Sequence, residues 1–360
     1  MKRIAVLGAT GSIGRQALEI VDAHPGLEVC ALASGSNELD ALAAERGVEH
    51  AQVGGELTAL LERAQPDVVL NAVVGFVGLP ATIWALERGT TLALANKESL
   101  VAAGDLALAA RERGGGLLLP VDSEHSALYQ CLEGRAPETV EGLVLTASGG
   151  PFRGRTKAEL EAVTRADALA HPTWRMGPKI TVDSATLANK GLELLEAHFL
   201  FAVQYDRIEV VVHPSSVVHG LVRFRDGAAL AHLGYPDMRV PISFALTYPE
   251  RSATEAEPLD LAAGLTLEFE PPDLETFPLL ALARGAGESG GTHPCAYNAA
   301  NEVAVQAFLA GRLPFLRIAE VVEETLATVD GAPADDLDEL READAEARRM
   351  AERAIGAMVT

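Results

Sequence analysis

Asp122 and Glu124 stand two residues apart just after the apolar run Leu117–Val121, and Glu193 closes the run Asn189-Lys190-Gly191-Leu192-Glu193. At a strand end, a spacing of two sends both side chains to one side. On a helix, spacings of three and four set Lys190 and Asn189 beside Glu193. Brought together, the three carboxylates would offer hard oxygen ligands to a divalent cation, next to an amide and an ammonium able to hold a phosphate. Near the chain start, Gly8-Ala9-Thr10-Gly11-Ser12-Ile13-Gly14 follows an apolar strand and opens a helical pattern. In that context glycines let the backbone approach a pyrophosphate at a helix N-terminus. The combination predicts metal-dependent redox chemistry on a phosphorylated small molecule.

Each feature has a plainer account. Asp122 and Glu124 could be exposed acids at a strand end, and Lys190 with Glu193 a helix-surface ion pair. The Asp-Ser-Glu-His cluster, however, lies at the C-terminal end of an expected parallel strand, where open α/β sheets bind ligands. His125 has no second His or Cys at zinc-site spacing and reads as structural. Cys131 could serve a thiol-dependent semialdehyde dehydrogenase, but it falls inside a helical pattern rather than at a helix N-terminus, where a thiol is activated. A nucleotide-sensing module that binds NADP without chemistry is the non-enzyme rival. The second strand ends Ala33-Ser34-Gly35-Ser36-Asn37, with no acid before Glu38 to take ribose hydroxyls. This favours NADP over NAD, although no Lys or Arg is there either. His171, Trp174 and Met176 lie in the stretch Ala166–Pro178, which suits a closing lid.

These groups need a scaffold. Ile4–Leu7, Val29–Ala33, Val68–Ala72, Thr91–Ala95 and Leu117–Val121 are strand candidates alternating with helical patterns such as Ile13–Ala23. Such alternation predicts an α/β fold with a Rossmann-like, doubly wound parallel sheet. Further on, Leu143–Thr146, Ile208–Val212 and Ser216–Phe224 predict an α+β domain with a partly antiparallel sheet. Pro249–Pro278 reads as an extended, acidic linker, and helical stripes beyond it predict a C-terminal helical domain. The expected boundaries are 1–121, 122–248 with a lid near 170–178, linker 249–278, and 279–360.

At 360 residues with 48% apolar and 22% charged residues, the chain reads as a folded protein of two or three domains. A net charge of −22 without any basic run disfavours nucleic acid and anionic lipid as partners. Three scattered cysteines and an N-terminus that is already a strand point to a reducing, cytoplasmic setting. The uncharged stretch Val68–Leu86 is interrupted by Asn71, Gly75, Gly78 and Pro80, so it reads as strand, loop and helix rather than a membrane span.

The runs GATGSIG, ALANKESLV, PVDSEHSA, LTASGGPFR, HPTWRMGPKITVDSATLANKGLE and YNAANEVAV, in this order, make the chain resemble the 1-deoxy-D-xylulose 5-phosphate reductoisomerase family over essentially its whole length. The resemblance implies an NADPH-binding domain, a catalytic domain with a lid, a helical domain and a homodimer. It implies Thr10, Gly11, Ser12 and Ile13 at the pyrophosphate, Gly35, Ser36 and Asn37 near the adenosine phosphate, and Asn96, Glu98 and Gly177 as further cofactor contacts. Many relatives carry a basic residue where this chain has Ser36. Asp122, Glu124 and Glu193 match the ligands of Mg²⁺ or Mn²⁺, with Co²⁺ a further candidate. Lys97, Ser123, Glu124 and Glu193 match the substrate side. Ser148, His171, Ser184, Asn189 and Lys190 match the phosphate side, and Trp174 the lid. The implied reaction rearranges the phosphorylated sugar and then reduces it with NADPH.

Overall fold

The computed structural model describes residues 1–35, 39–174 and 176–359. By contacts the chain divides into residues 1–133 with 237–259, and residues 134–236 with 260–360.

The first unit is built on six strands: β1 (Lys2–Leu7), β2 (Leu27–Ser34), β3 (His50–Val53), β4 (Val68–Asn71), β5 (Thr91–Leu94) and β6 (Leu118–Pro120). All pair in parallel, in the order β3-β2-β1-β4-β5-β6. This is the doubly wound arrangement that the strand–helix alternation predicts. The strands are short and apolar because both faces are covered, and Ile4, Val6, Leu32, Leu70, Ala93 and Leu119 share one core cluster. The helix Ser12–Ala23 buries Gly14, Ala17, Leu18 and Val21. Ile13 and Ile20 pack only partly against that core, whereas Leu18 is 2% exposed. The apolar stretch 68–86 resolves into β4, a turn at Phe76–Gly78 and the helix Leu79–Glu87 with Pro80 in its first turn. Among the described residues no helix is long and apolar enough to cross a membrane.

The contact division does not follow the sequence boundaries at 121 and 248. The helix Arg239–Thr247, which no sequence pattern announced, lays Ile242, Ala245 and Leu246 into the first unit's core. Lys2 Nζ ties its end down by donating to the carbonyls of Thr247 at 3.2 Å and Tyr248 at 2.7 Å.

The second unit holds a mixed sheet of β7 (Val140–Ala147), β8 (Ile208–Val212), β9 (Val218–Phe224) and β10 (Ala229–Leu233), ordered β10-β9-β7-β8. β7 runs parallel to β8 and antiparallel to β9, which pairs antiparallel with β10. Short β10 had no apolar alternation strong enough to read from sequence, since its residues are mostly exposed or half-buried. Two helices, Pro178–Ala185 and Ala188–Phe201, carry candidate site residues. They are backed by Leu279–Ser289 and His293–Leu309, with Arg317–Thr328 and Leu337–Val359 completing the helical end. Gly191 permits the close packing: a Cβ there would lie 2.7 Å from Ala283 Cβ and 2.8 Å from the Tyr297 hydroxyl. The stretch 249–278 has no helix or strand, only a bridge in which Val212 and Glu270 exchange backbone hydrogen bonds of 2.8 and 2.9 Å.

Candidate active site

In the first unit the glycine turn leaves β1 at Leu7. Gly8 adopts φ +86°, and a Cβ on it would stand 2.4 Å from the Ala72 carbonyl oxygen. A Cβ on Gly14 would fall 2.3 Å from the Gly8 carbonyl, so only glycine lets the helix start this close to the turn. Thr10 Oγ1 and Ser34 Oγ lie 2.5 Å apart, tying the turn to the end of β2. Gly11, Ser12 and Ile13 thus sit at a helix N-terminus, with Gly11 and Ser12 exposed. Gly35 is exposed with nothing within 4 Å of a notional Cβ. Ser36 and Asn37 lie outside the described residues.

Beside this turn, sequence reasoning missed a buried amide network. Asn71, ending β4, donates to the Gly78 carbonyl at 2.8 Å and to Thr82 Oγ1 at 2.9 Å, and Thr82 donates on to Ser99 Oγ at 2.9 Å. Asn96 Nδ2 donates to the carbonyls of Val73 at 2.6 Å and Gly75 at 2.9 Å, and lies 3.1 Å from Glu98 Oε2. The side chains of Asn96 and Glu98 are therefore already engaged in shaping the loop after β4. The only sequence signal was an Asn closing an otherwise apolar strand.

Lys97 follows β5 and Asp122 follows β6. Because these strands are parallel neighbours, with Val121 N–H donating to the Leu94 carbonyl at 2.9 Å, both residues leave from the same C-terminal edge. Their side chains meet in an ion pair, each 14% exposed. Asp122 also caps the helix Ser123–Leu132, its Oδ1 accepting from the Glu124 N–H at 3.1 Å and the His125 N–H at 3.3 Å. Ser123 Oγ donates to Glu124 Oε1 at 3.0 Å. His125 is fully buried with Nδ1 3.5 Å from Asp122 Oδ1, in keeping with its structural reading. Cys131 stands near the C-terminal end of the same helix, far from the N-terminal dipole that would activate a thiol.

In the second unit, β7 runs into Ser148 and the turn Gly149-Gly150. Gly150 has φ +67°, and a Cβ there would stand 2.6 Å from the Ser184 carbonyl oxygen. This close approach brings Ser148 and Ser184 to one imidazole: His171 Nε2 lies 3.0 Å from Ser148 Oγ and 3.1 Å from Ser184 Oγ. His171 Nδ1 accepts from the backbone N–H groups of Thr173 at 3.2 Å and Trp174 at 2.9 Å. Two donors on Nδ1 place the ring proton on Nε2, giving a neutral tautomer. Burial holds its pKa below the ordinary histidine value, because desolvation penalises the charged form. The Trp174 ring packs edge-on to His219 with centroids 6.3 Å apart.

Glu193 is fully buried on the helix Ala188–Phe201. Asn189 Nδ2 donates to its Oε1 at 2.6 Å, and Lys190 pairs with its Oε2. The helical spacing thus does what the sequence predicts: amide, ammonium and carboxylate share one face. Gly177 is the exposed N-cap of the helix Pro178–Ala185, its carbonyl accepting from Thr181 N–H at 3.0 Å.

Comparison with known proteins decides the family. The family model described as 1-deoxy-D-xylulose 5-phosphate reductoisomerase matches residues 4–53 and 38–104, and its C-terminal domain models match 118–201 and 233–350. The protein of that name from Heliobacterium modesticaldum is 49% identical over 385 aligned positions, covering 99% of this chain and 98% of the relative. The chain belongs to the 1-deoxy-D-xylulose 5-phosphate reductoisomerase family. The reductoisomerase of Chloroherpeton thalassium is 47% identical, covering 97% of both chains. The solved reductoisomerase of Zymomonas mobilis, in complex with NADPH, is 40% identical with a TM-score of 0.89 over 98% of each chain. A second solved reductoisomerase, with NADPH, fosmidomycin and magnesium, is 38% identical with a TM-score of 0.90 over 99% of each. Membership of the reductoisomerase family across this length leaves the semialdehyde dehydrogenase and NADP-sensing readings without support.

Proposed function

We infer that this chain catalyses the rearrangement and NADPH-dependent reduction of 1-deoxy-D-xylulose 5-phosphate to 2-C-methyl-D-erythritol 4-phosphate, in the non-mevalonate route to isoprenoids. The observation that carries this is identity near 50% to reductoisomerases over 98–99% of the chain. The chemistry of the donors fits the groups the reaction needs. Asp122, Glu124 and Glu193 offer only hard carboxylate oxygens, which suit Mg²⁺ or Mn²⁺ rather than a soft metal. Gly8 and Gly14, where a Cβ would strike backbone at 2.4 and 2.3 Å, keep the turn tight against the start of the helix, and a helix N-terminus of this kind suits the pyrophosphate of NADPH. When bound, the cation supplies Lewis acidity to carbonyl and hydroxyl oxygens, and the nicotinamide supplies hydride.

In this reading the residues divide the work. Asp122, Glu124 and Glu193 hold the metal. Lys97, poised on Asp122, and Ser123 orient the sugar. Ser148, His171, Ser184, Asn189 and Lys190 take the phosphate, where neutral donors and one ammonium match a dianion. Trp174 closes over the substrate and excludes water. Thr10, Gly11, Ser12, Ile13, Gly35, Ser36, Asn37, Asn96, Glu98 and Gly177 contact the cofactor. The proposal extends to a homodimer, tested by sedimentation, working in a reducing cytoplasm that three cysteines outside any disulfide suit.

The test follows NADPH absorbance with 1-deoxy-D-xylulose 5-phosphate and Mg²⁺ or Mn²⁺, then adds chelator and repeats with NADH. Oxidation that stops with chelator is expected. A folded protein that binds NADPH but oxidises none of it with either metal would overturn the proposal.

A further inference from the structure

The helix Pro178–Ala185 presents Ser184 toward His171, and the residue before it is a buried acid. Asp183 is 1% exposed. Its Oδ1 accepts from Asn301 Nδ2 at 2.8 Å, and its Oδ2 lies 2.9 Å from Lys179 Nζ, one turn earlier. Neighbouring helical residues point about 100° apart. Holding Asp183 in place therefore sets the direction in which Ser184 leaves the helix. There is little slack on the other side, since the Ser184 carbonyl already abuts Gly150 in the turn that carries Ser148.

Asn301 comes from the helix His293–Leu309 and is itself fully buried. Its orientation follows from chemistry, because the reversed amide would aim a carbonyl oxygen at the Asp183 carboxylate. Its own Oδ1 has no hydrogen-bond partner among the described residues. A buried carbonyl left unbonded is costly, and an apolar side chain would avoid that cost. Among the described residues, the one hydrogen bond that this side chain makes is the bond to Asp183.

We propose that Asn301, acting through Asp183, is a positioning residue for the Ser148–His171–Ser184 group that receives the substrate phosphate. This rests on the phosphate reading given above. Asn301 touches none of the three residues directly: it fixes the helix azimuth, and the site inherits it.

The test titrates the full-length protein with inorganic phosphate, following the His171 imidazole ¹⁵N resonances, and separately measures KM and kcat. Asn301→Leu removes the donor at similar volume, and Asp183→Asn keeps an acceptor for Asn301 but removes the anion that Lys179 faces. Asn301→Leu should weaken phosphate binding and raise KM by roughly tenfold, the lower end of what losing an outer-sphere partner costs, with kcat changed far less. Asp183→Asn should weaken phosphate binding as well, because its amide NH₂ would face the Lys179 ammonium and the helix would lose that anchor. If Asn301→Leu leaves both phosphate affinity and the His171 resonances unchanged while Ser184→Ala weakens binding, the positioning role is wrong and the phosphate reading survives. If the wild type and Ser184→Ala bind phosphate equally poorly, the phosphate reading fails and takes the inference with it. Should Asn301→Leu not fold, Asn301→Ala replaces it, and an unchanged phosphate affinity there overturns the proposal.

Discussion

Glu193→Gln should unsettle the fold locally before any question of catalysis arises. The carboxylate is fully buried, and its Oε2 is paired with a Lys190 side chain that is 6% exposed. Glutamine can still accept from Asn189 Nδ2, but its amide NH₂ cannot satisfy an ammonium. Removing one partner of a buried ion pair leaves the other charge uncompensated, at a cost of about 3–5 kcal/mol. In a folding unit of about 200 residues, each kcal/mol moves Tm by about 2–4 °C. The metal-free variant should therefore melt about 6–20 °C below the wild type in calorimetry with chelator present. Adding Lys190→Met removes the orphaned cation, so the double variant should recover most of the loss, as neutral replacements of buried pairs do. Magnesium at about a hundred times its Kd should raise the wild-type Tm by about 5–11 °C and leave that of Glu193→Gln unchanged. A metal-free Glu193→Gln that melts within 2 °C of the wild type (far less than about 6 °C) would refute the reasoning about the pair.

His171 is held neutral by burial, with a folded pKa below its unfolded value. Between those two values the unfolded chain binds more protons, so stability should rise with pH up to the unfolded value near 6.5 and be lost as pH falls through the window. Tm measured against pH should show this slope in the wild type and not in His171→Asn. Trp174→Ala should lower kcat/KM for the sugar phosphate by roughly tenfold or more while NADPH affinity, read by fluorescence titration, stays put. A collapse of NADPH affinity with unaltered sugar kinetics would remove Trp174 from the lid. Gly14→Ala forces a methyl to within 2.3 Å of the Gly8 carbonyl, so NADPH binding and Tm should both fall, the latter by an overpacking cost of about 1–3 kcal/mol.

Much of this protein is legible in one dimension wherever the physics is local. Short β-branched runs between helical patterns announce a parallel sheet because both faces of such a sheet are covered. The glycines of the first turn declare themselves because no other residue survives φ +86° at Gly8 or a neighbour 2.3 Å away at Gly14. Asn189, Lys190 and Glu193 share a face because the helical period puts them there. Legibility fails where partners are distant in the chain. The helix Arg239–Thr247 is not amphipathic enough to announce which core it joins, and only packing shows it against the helix Ser12–Ala23 and strands β5 and β6. Nothing in spacing says that Asn71 and Asn96 hold the same loop after β4, or that Asn301 reaches Asp183. Lys97 and Asp122 meet only because β5 and β6 run parallel and side by side. By itself the sequence determined the classes of chemistry available: hard acids, an amide and an ammonium with the chemistry to hold a phosphate, and a glycine turn opening a helix. Tertiary structure decided which buried charge faces which, because a contact between residues far apart in the chain depends on how the elements pack, and no local period encodes that.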